Sequence, residues 1–395
     1  MDAEDKMEGI CLWQREDFGK LTQEVVMRTF CIRFVVFLWI CLCFFACSSE
    51  KNGWKGTIRD ENGVVVVENP RIPLYETAGA VIEEDLSIGG DEENHSLFYS
   101  VGDIDVDEKG RIYVLDAGEK NIKIFDPDGN WIQTVGGPGQ GPGELNQPIS
   151  IACAEGKMIV QDGVFGGKLV FFDAQGRYAD SVLLGGGWTY KLKTDFLDHY
   201  LMISMQMGED QVSYVCIGFY DDRMELVWEV DRIPRIIQSG SFELFSPTPW
   251  FDFDPSGYIV YAYPSDYEIR FFKSDGTLIR KIRRDYNPVA ISDEAKEKKL
   301  KSMKVVSQLK LDFSRHYPAF QRFLTDDEGR LFVRTWELVE GQYLYDVFDS
   351  KGRYTYQLPL PDGLKCIKQG MLYCIDEDEE GFQSVKRCRL GVMVD

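Results

Sequence analysis

The chain has 395 residues, with 65 Asp and Glu against 44 Lys and Arg, and a formal net charge of −21. So acidic a balance excludes nucleic acid as a partner, because a phosphate backbone demands a basic footprint. It suits neutral or cationic partners and keeps an exposed surface soluble. Ten cysteines without a CxxC spacing supply neither a zinc knuckle nor a redox motif.

Residues 1–26 are acidic and read as a disordered leader or an over-long start, ahead of a basic segment. Residues 27–46 read as a signal peptide. Arg28 and Arg33 lead into an unbroken apolar run of thirteen, Phe34–Ala46 (FVVFLWICLCFFA), whereas a membrane span needs about 20. A single anchor helix is the alternative. The stretch Phe44-Phe45-Ala46-Cys47, followed by Ser48-Ser49, resembles the lipobox of bacterial lipoproteins, with Phe44 where Leu is usual. That resemblance implies a mature chain that begins at Cys47 and carries lipid there. Residues 47–53 are then a tether to the inner or outer membrane, with the protein facing periplasm or exterior.

From residue 54 onward a glycine turn repeats. Val106–Asp116 reads VDEKGRIYVLD and Ile124–Val135 reads IFDPDGNWIQTV. Each is a polar turn closed by Gly and followed by β-branched and aromatic residues. The pair returns with 19 residues from Gly110 to Gly129, 20 from Gly156 to Gly176, 19 from Gly257 to Gly276 and 23 from Gly329 to Gly352. That spacing places two hairpins side by side in one sheet. A recurring unit of about 40–50 residues with four strands is a propeller blade.

The expected fold is therefore all-β: a six-bladed β-propeller over 54–395, of four-stranded antiparallel blades. The blades fall at about 99–136, 148–185, 188–232, 249–284, 318–358 and 360–394. The third, Trp188–Val230, keeps its strands but loses its glycine turns. A ring must close, since open terminal blades leave unpaired edges. The hairpin-like Trp54–Pro70, with Asn62-Gly63 as its turn, is expected to complete the last blade; a seventh blade is the alternative. The strand before each first turn is innermost and lines the channel. The links from second to third strand then share a face with the start of the inner strand: Asp116–Asn121, Asp162–Gly167, Tyr263–Tyr267 and Arg334–Glu340.

The stretch Gly110–Pro148 (GRIYVLDAGEKNIKIFDPDGNWIQTVGGPGQGPGELNQP) resembles the NHL-like six-bladed β-propeller lipoproteins common in Bacteroidetes. The resemblance implies the fold and an envelope location, and brings little mechanism. Gluconolactonase-type propellers use acidic and amide oxygens around the channel. Asp116 and Asp162, at equivalent places in blades one and two, are the candidates here, with turn formation as the preferred role. Lyases of this fold use histidines from several blades, whereas His95, His199 and His316 are scattered over the linker, the degenerate blade and the insertion. The loop Gly136–Gly143 lacks the GK[ST] of a phosphate cradle. Asp103, Asp105 and Asp107 alternate, which places them on one wet strand face; the Gly and Glu of an EF-type loop are absent.

Between blades four and five, a helical insertion is expected at about 290–312. Ser292 caps it, Asp293 and Glu294 suit its positive end, and five lysines follow between 296 and 304. This reads as a solvated helix, with a lid over the channel as the alternative. Arg315 and His316 follow it. Tyr263, Arg334 and Trp336 complete the candidate ligand contacts, Arg334 and Trp336 joining a cation to a flat apolar ring; Trp188, Tyr190 and Trp250 read equally as packing. Cys153, Cys216, Cys366, Cys374 and Cys388 read as buried free thiols, with a Cys374–Cys388 bridge as the alternative. The functional expectation is an envelope-anchored module that binds a glycan, peptide or protein at the channel mouth. A hydrolase or lactonase using a divalent metal on channel carboxylates is the runner-up, and a ligand-free scaffold the third reading. No cofactor is expected otherwise.

Overall fold

Each glycine turn of the repeat is organised by an aspartate. Asp107 Oδ1 accepts the N–H groups of Lys109 and Arg111 at 3.0 and 2.9 Å. The same two-residue and four-residue reach recurs at Asp126, Asp173, Asp254, Asp326 and Asp349. The fourth residue must turn left-handed, and Gly110 does so at φ 77° without the Cβ clash of other residues. Where the fifth residue is Arg, its Nε returns to the second carboxylate oxygen, as at Arg111, Arg177, Arg330 and Arg353. The motif is thus a self-contained hairpin closure. In the third blade Asp221 keeps both bonds, to Arg223 and Glu225. Met224 stands there in the glycine's place at φ 61°.

The computed structural model describes residues 53–394, apart from 91–95, 155–156, 165–166, 185–187, 196–198, 236–240 and 303–309. The leader, the signal-peptide segment, Cys47, most of the tether, His95 and Gly156 lie outside the described residues. So do the side chains of Trp188 and Tyr190.

Six antiparallel sheets stand at 101–136, 148–183, 188–235, 250–284, 322–360 and 364–394. Their inner strands are Val101–Val106, Pro148–Ala154, Trp188–Thr194, Trp250–Phe253, Arg322–Thr325 and Leu364–Lys368. Each packs on the next, and the sixth packs on the first, so the ring is closed. The buried apolar residues separate into clusters that coincide with the junctions between blades. Leu115, Val160 and Phe172 join blades one and two, for example, and Ile104, Phe125 and Tyr373 join six and one. Both faces of every blade are therefore wanted by a neighbour, which is why the strands read as near-continuous apolar runs.

Closure differs from the sequence expectation. The fourth strand of the sixth blade is Ala78–Gly89, paired antiparallel with Gln383–Val394. The hairpin of Thr57–Glu61 and Val64–Asn69 does not join that blade. Its second strand runs parallel beside Leu278–Arg284, extending blade four to six strands. The reason is Asn69, whose amide donates to the carbonyls of Arg283 and Gly352 and whose oxygen accepts from Tyr354 N–H. Together with the fully buried Val66 and Val67, it seats the hairpin at the junction of blades four and five.

The insertion carries the expected helix, Asp293–Ser302, capped by Ser292 Oγ accepting from Ala295 N–H at 3.1 Å. No residue of the helix is buried, which matches a solvated role. Beyond it, Lys310–Phe313 pairs in parallel with Ser241–Leu244.

Candidate functional site

The inner strand of a blade has no further strand to pair with, so its channel edge presents backbone groups that need partners. Channel side chains supply them across the blade junctions. From blade one, Asp103 Oδ2 accepts from Ile151 N–H (3.3 Å) and Asp105 Oδ2 from Cys153 N–H (2.7 Å) in blade two. Lys191 in blade three donates to Phe251 O in blade four (2.9 Å). Trp250 Nε1 donates to Phe323 O (2.6 Å), and Asp252 accepts from Thr325 N–H (3.4 Å), linking blades four and five. Arg322 donates to Leu364 O (2.8 Å), and Lys365 to Gly102 O (2.9 Å), which carries the ring through blade six to blade one. The charges of the channel are thus seated by the topology itself.

Two cavities follow along this channel. Where the inner strands begin, a space of about 220 Å³ is lined by Lys191, Lys193, Arg322, Lys365, Trp250 and one carboxylate, Asp103. Where they end, a smaller space of about 90 Å³ is rich in carboxylates, including Asp105, Asp252 and Asp327, beside Lys193 and Lys368. The upper mouth is therefore cationic on a strongly acidic protein, and the lower mouth is acidic.

The two lysines of blade three are in different states. Lys193 Nζ lies 3.8 Å from Asp252, and that carboxylate outweighs burial and holds its ammonium above the usual lysine range. Lys191 lies 3.0 Å from the centre of the Trp250 ring and 4.8 Å from that of Phe251. Burial, with Lys193 and Arg322 nearby, holds its ammonium well below that range, against the pull of Asp252 and Asp103. Burial also raises the Asp105 carboxyl, opposed by Lys193 and Lys368. Arg322 lines the upper mouth, and its Nε is buried with no hydrogen-bond partner.

None of the seven side chains singled out from the sequence lines either channel cavity. Asp116 is wholly buried and accepts from the N–H groups of Tyr99, Ser100, Gly118 and Glu119. Asp162 accepts from Asn146 and Gln147. Both fasten the connector between blades to a strand-joining link. Tyr263 borders an open groove of about 590 Å³ with Arg270 and Tyr286. Trp336 gives its ring face to Tyr317, stacked at 4.2 Å, and Arg334 lies over Tyr343 at 3.9 Å and pairs with Asp362. Arg315 and His316 are exposed on the insertion.

The residues that do line the upper mouth carried a weak signal: charges at alternate positions of the strand before each first turn, as in Lys191-Leu192-Lys193 and Asp103-Ile104-Asp105. The wet face assigned to Asp103 and Asp105 is the channel wall, while Asp107 turns away to organise its hairpin.

Among the described residues no group of three or more His, Cys, Asp or Glu converges as a metal would need. The five cysteines after Cys47 are free. Cys374 faces Lys386 and Cys388 faces Leu372 in register, and burial pushes the Cys374 thiol up to about 12, which makes it inert. Among the described residues no helix is long and apolar enough to cross a membrane.

A protein family described as a 6-bladed beta-propeller matches residues 93–225. A member of the DUF4221 family from Bacteroides vulgatus is similar in structure over 80% of this chain and 99% of its own, at 12% identity and a TM-score of 0.52. A Bacteroides fragilis protein named as exported aligns over 84% of this chain and 99% of its own, at 11% identity and a TM-score of 0.47. A gluconolactonase from Xanthomonas campestris aligns over 74% and 88%, at 12% identity and a TM-score of 0.43. No curated protein matches the sequence. Sheets, ring and family match agree: the chain is a six-bladed β-propeller.

Proposed function

We propose that this propeller binds a small acidic ligand, in the first instance an acid sugar, at the upper mouth of its channel. The observation that carries the reading is the set of Lys193, Arg322 and Lys365 around one cavity beside Lys191 and Trp250, on a chain of net charge −21. A concave site with an aromatic wall and a few convergent polar groups is the usual form of a small-ligand pocket. The guanidinium and ammonium groups match a carboxylate, and hydrogen bonds to charged groups are the strong ones. Binding rather than hydrolysis is favoured, because the carboxylates of the channel wall are engaged in backbone N–H groups of the neighbouring blade.

The test compares glucuronate with glucose, which share a ring and differ in the carboxylate. Glucuronate should raise the melting temperature and glucose should not. Lys365→Met should weaken glucuronate roughly tenfold or more, the worth of one charge-assisted bond. Equal responses to the two sugars, or none to either, would sink the reading.

The same proposal places the protein in the bacterial envelope, lipidated at Cys47, because the apolar run ends in Ala46-Cys47-Ser48. Wild-type protein should sediment with membranes when expressed in a lipoprotein-processing bacterium, and Cys47→Ser should release it. A Cys47→Ser protein that still sediments would remove the lipid anchor.

A further inference from the structure

We propose that Lys191 is a reactive amine, which captures an acidic carbonyl compound as an imine inside the upper mouth of the channel. The inference rests on the acidic-ligand reading above and adds a covalent step and a ligand class to it: 2-oxo acids and acidic sugars in their open aldehyde form.

The position of Lys191 is unusual for a lysine. Its Nζ donates to Phe251 O at 2.9 Å and lies against the rings of Trp250 and Phe251. Among the described residues it has no ion pair, whereas Lys193, two residues on along the same strand, lies near Asp252. The groups facing it are Lys193 on its own strand, Asp103 from blade one, Asp252 from blade four, Arg322 from blade five and Lys365 from blade six. The cations outnumber the carboxylates, and both carboxylates already accept backbone N–H groups. A desolvated lysine beside other cations is the arrangement that leaves an amine uncharged and nucleophilic near neutral pH.

The chemistry balances without an added oxidant or reductant. The Lys191 lone pair attacks the carbonyl carbon and forms a C–N bond, while the carbonyl π electrons move to oxygen. A proton passes from nitrogen to that oxygen, and loss of water leaves the imine. Arg322 and Lys365 line the same cavity and are the groups to hold the carboxylate while this happens. Lys193 serves as an internal control: it lines the same cavity, and its ammonium is held by Asp252 and is not free to attack.

Glyoxylate is the smallest probe that carries both groups. The purified protein would be treated at pH 7 with glyoxylate and sodium cyanoborohydride, then mapped by peptide mass spectrometry for carboxymethyl-lysine. Lys191 should be modified at least about tenfold faster than Lys193 and the surface lysines, since an ordinary lysine is almost wholly protonated there. The advantage should shrink as the pH approaches 10. Glucuronate in excess, added with glyoxylate and the reductant, should lower carboxymethylation of Lys191. Modification spread evenly over the lysines, or absent from Lys191, overturns the imine. If glucuronate still raises the melting temperature in that case, the acidic-ligand reading stands alone; if it does not, both fall.

Discussion

A chain that begins at Thr77 should fold, and a chain that begins at Gly90 should not. Ala78–Gly89 is the outer strand of the sixth blade, and the other three strands of that blade come from the C-terminus. Removing it exposes the edge of Gln383–Val394 and strips Ile88 from the cluster between blades six and one. It also uncovers the cluster between blades five and six, against which Ala78, Ala80 and Ile82 pack. An open, apolar sheet edge in an unclosed ring is an aggregation site. The Thr77 chain loses the hairpin on the outside of blade four and the segment that follows it, but no strand of the ring itself. Its cost is the burial of Val66 and Val67, about 1.5–3 kcal/mol each, with the parallel pairing on Leu278–Arg284, the backbone bonds of Leu74 and Tyr75 to blade five, and the bonds of Asn69 to blades four and five. It should be soluble and cooperative, with a lowered melting temperature. A soluble, cooperatively melting Gly90 chain would show that the ring does not depend on this closure.

Asp346→Ala should be among the most damaging single substitutions, at about 3–5 kcal/mol. Asp346 is wholly buried in blade five and accepts four bonds: from Tyr267 Oη (2.6 Å), Tyr354 Oη (2.8 Å), Arg284 Nη1 (2.9 Å) and Gln357 Nε2 (2.9 Å). Tyr267 and Arg284 belong to blade four, so one carboxylate holds two blades together. Burial pushes both phenols above their usual range, which keeps them as donors. At Arg284 burial is the largest single influence and lowers the guanidinium, but Asp346 with Tyr267, Tyr354 and Glu337 together raise it above its usual range. Without the carboxylate, Arg284 is left with a buried charge; its side chain is only 8% exposed. The measurement is the urea midpoint. Replacing both partners, as Asp346→Leu with Arg284→Met, should recover much of the loss, because no charge is then stranded. An Asp346→Ala midpoint equal to wild type would show that the network contributes little.

The upper mouth shows how a propeller can concentrate one sign of charge on a chain dominated by the other. Lysine and arginine reach the channel because the inner strands need donors for the exposed carbonyls of the next blade. Once seated, they line a space bounded by six blades, where solvent screening is weaker than at the open surface. Structural stapling and ligand attraction thus come from the same side chains. This is why Lys365→Met is expected to weaken binding and to loosen the junction of blades six and one.

The six-fold repeat, the four strands per blade and the capped helix of the insertion could all be read along the chain. Each rests on local chemistry: an aspartate reaching two and four residues ahead, a left-handed glycine, a serine before a helix. Asp116 bonds Gly118 and Glu119 just after its strand, as a turn aspartate does, whereas Asp162 bonds Asn146 and Gln147 in the connector that precedes its blade. Ring closure was not legible along the chain. Ala78–Gly89 has no turn motif, and it is a strand because a three-stranded blade offers it an edge about three hundred residues later. The upper mouth was hidden too, because Asp103, Lys191, Trp250, Arg322 and Lys365 come from five blades. Tyr317 stacks on the Trp336 ring, whereas Trp250, which the sequence leaves open between packing and ligand contact, both packs against the core and lines the channel. Local hydrogen bonding determines what a segment becomes, whereas packing between blades decides which side chains meet.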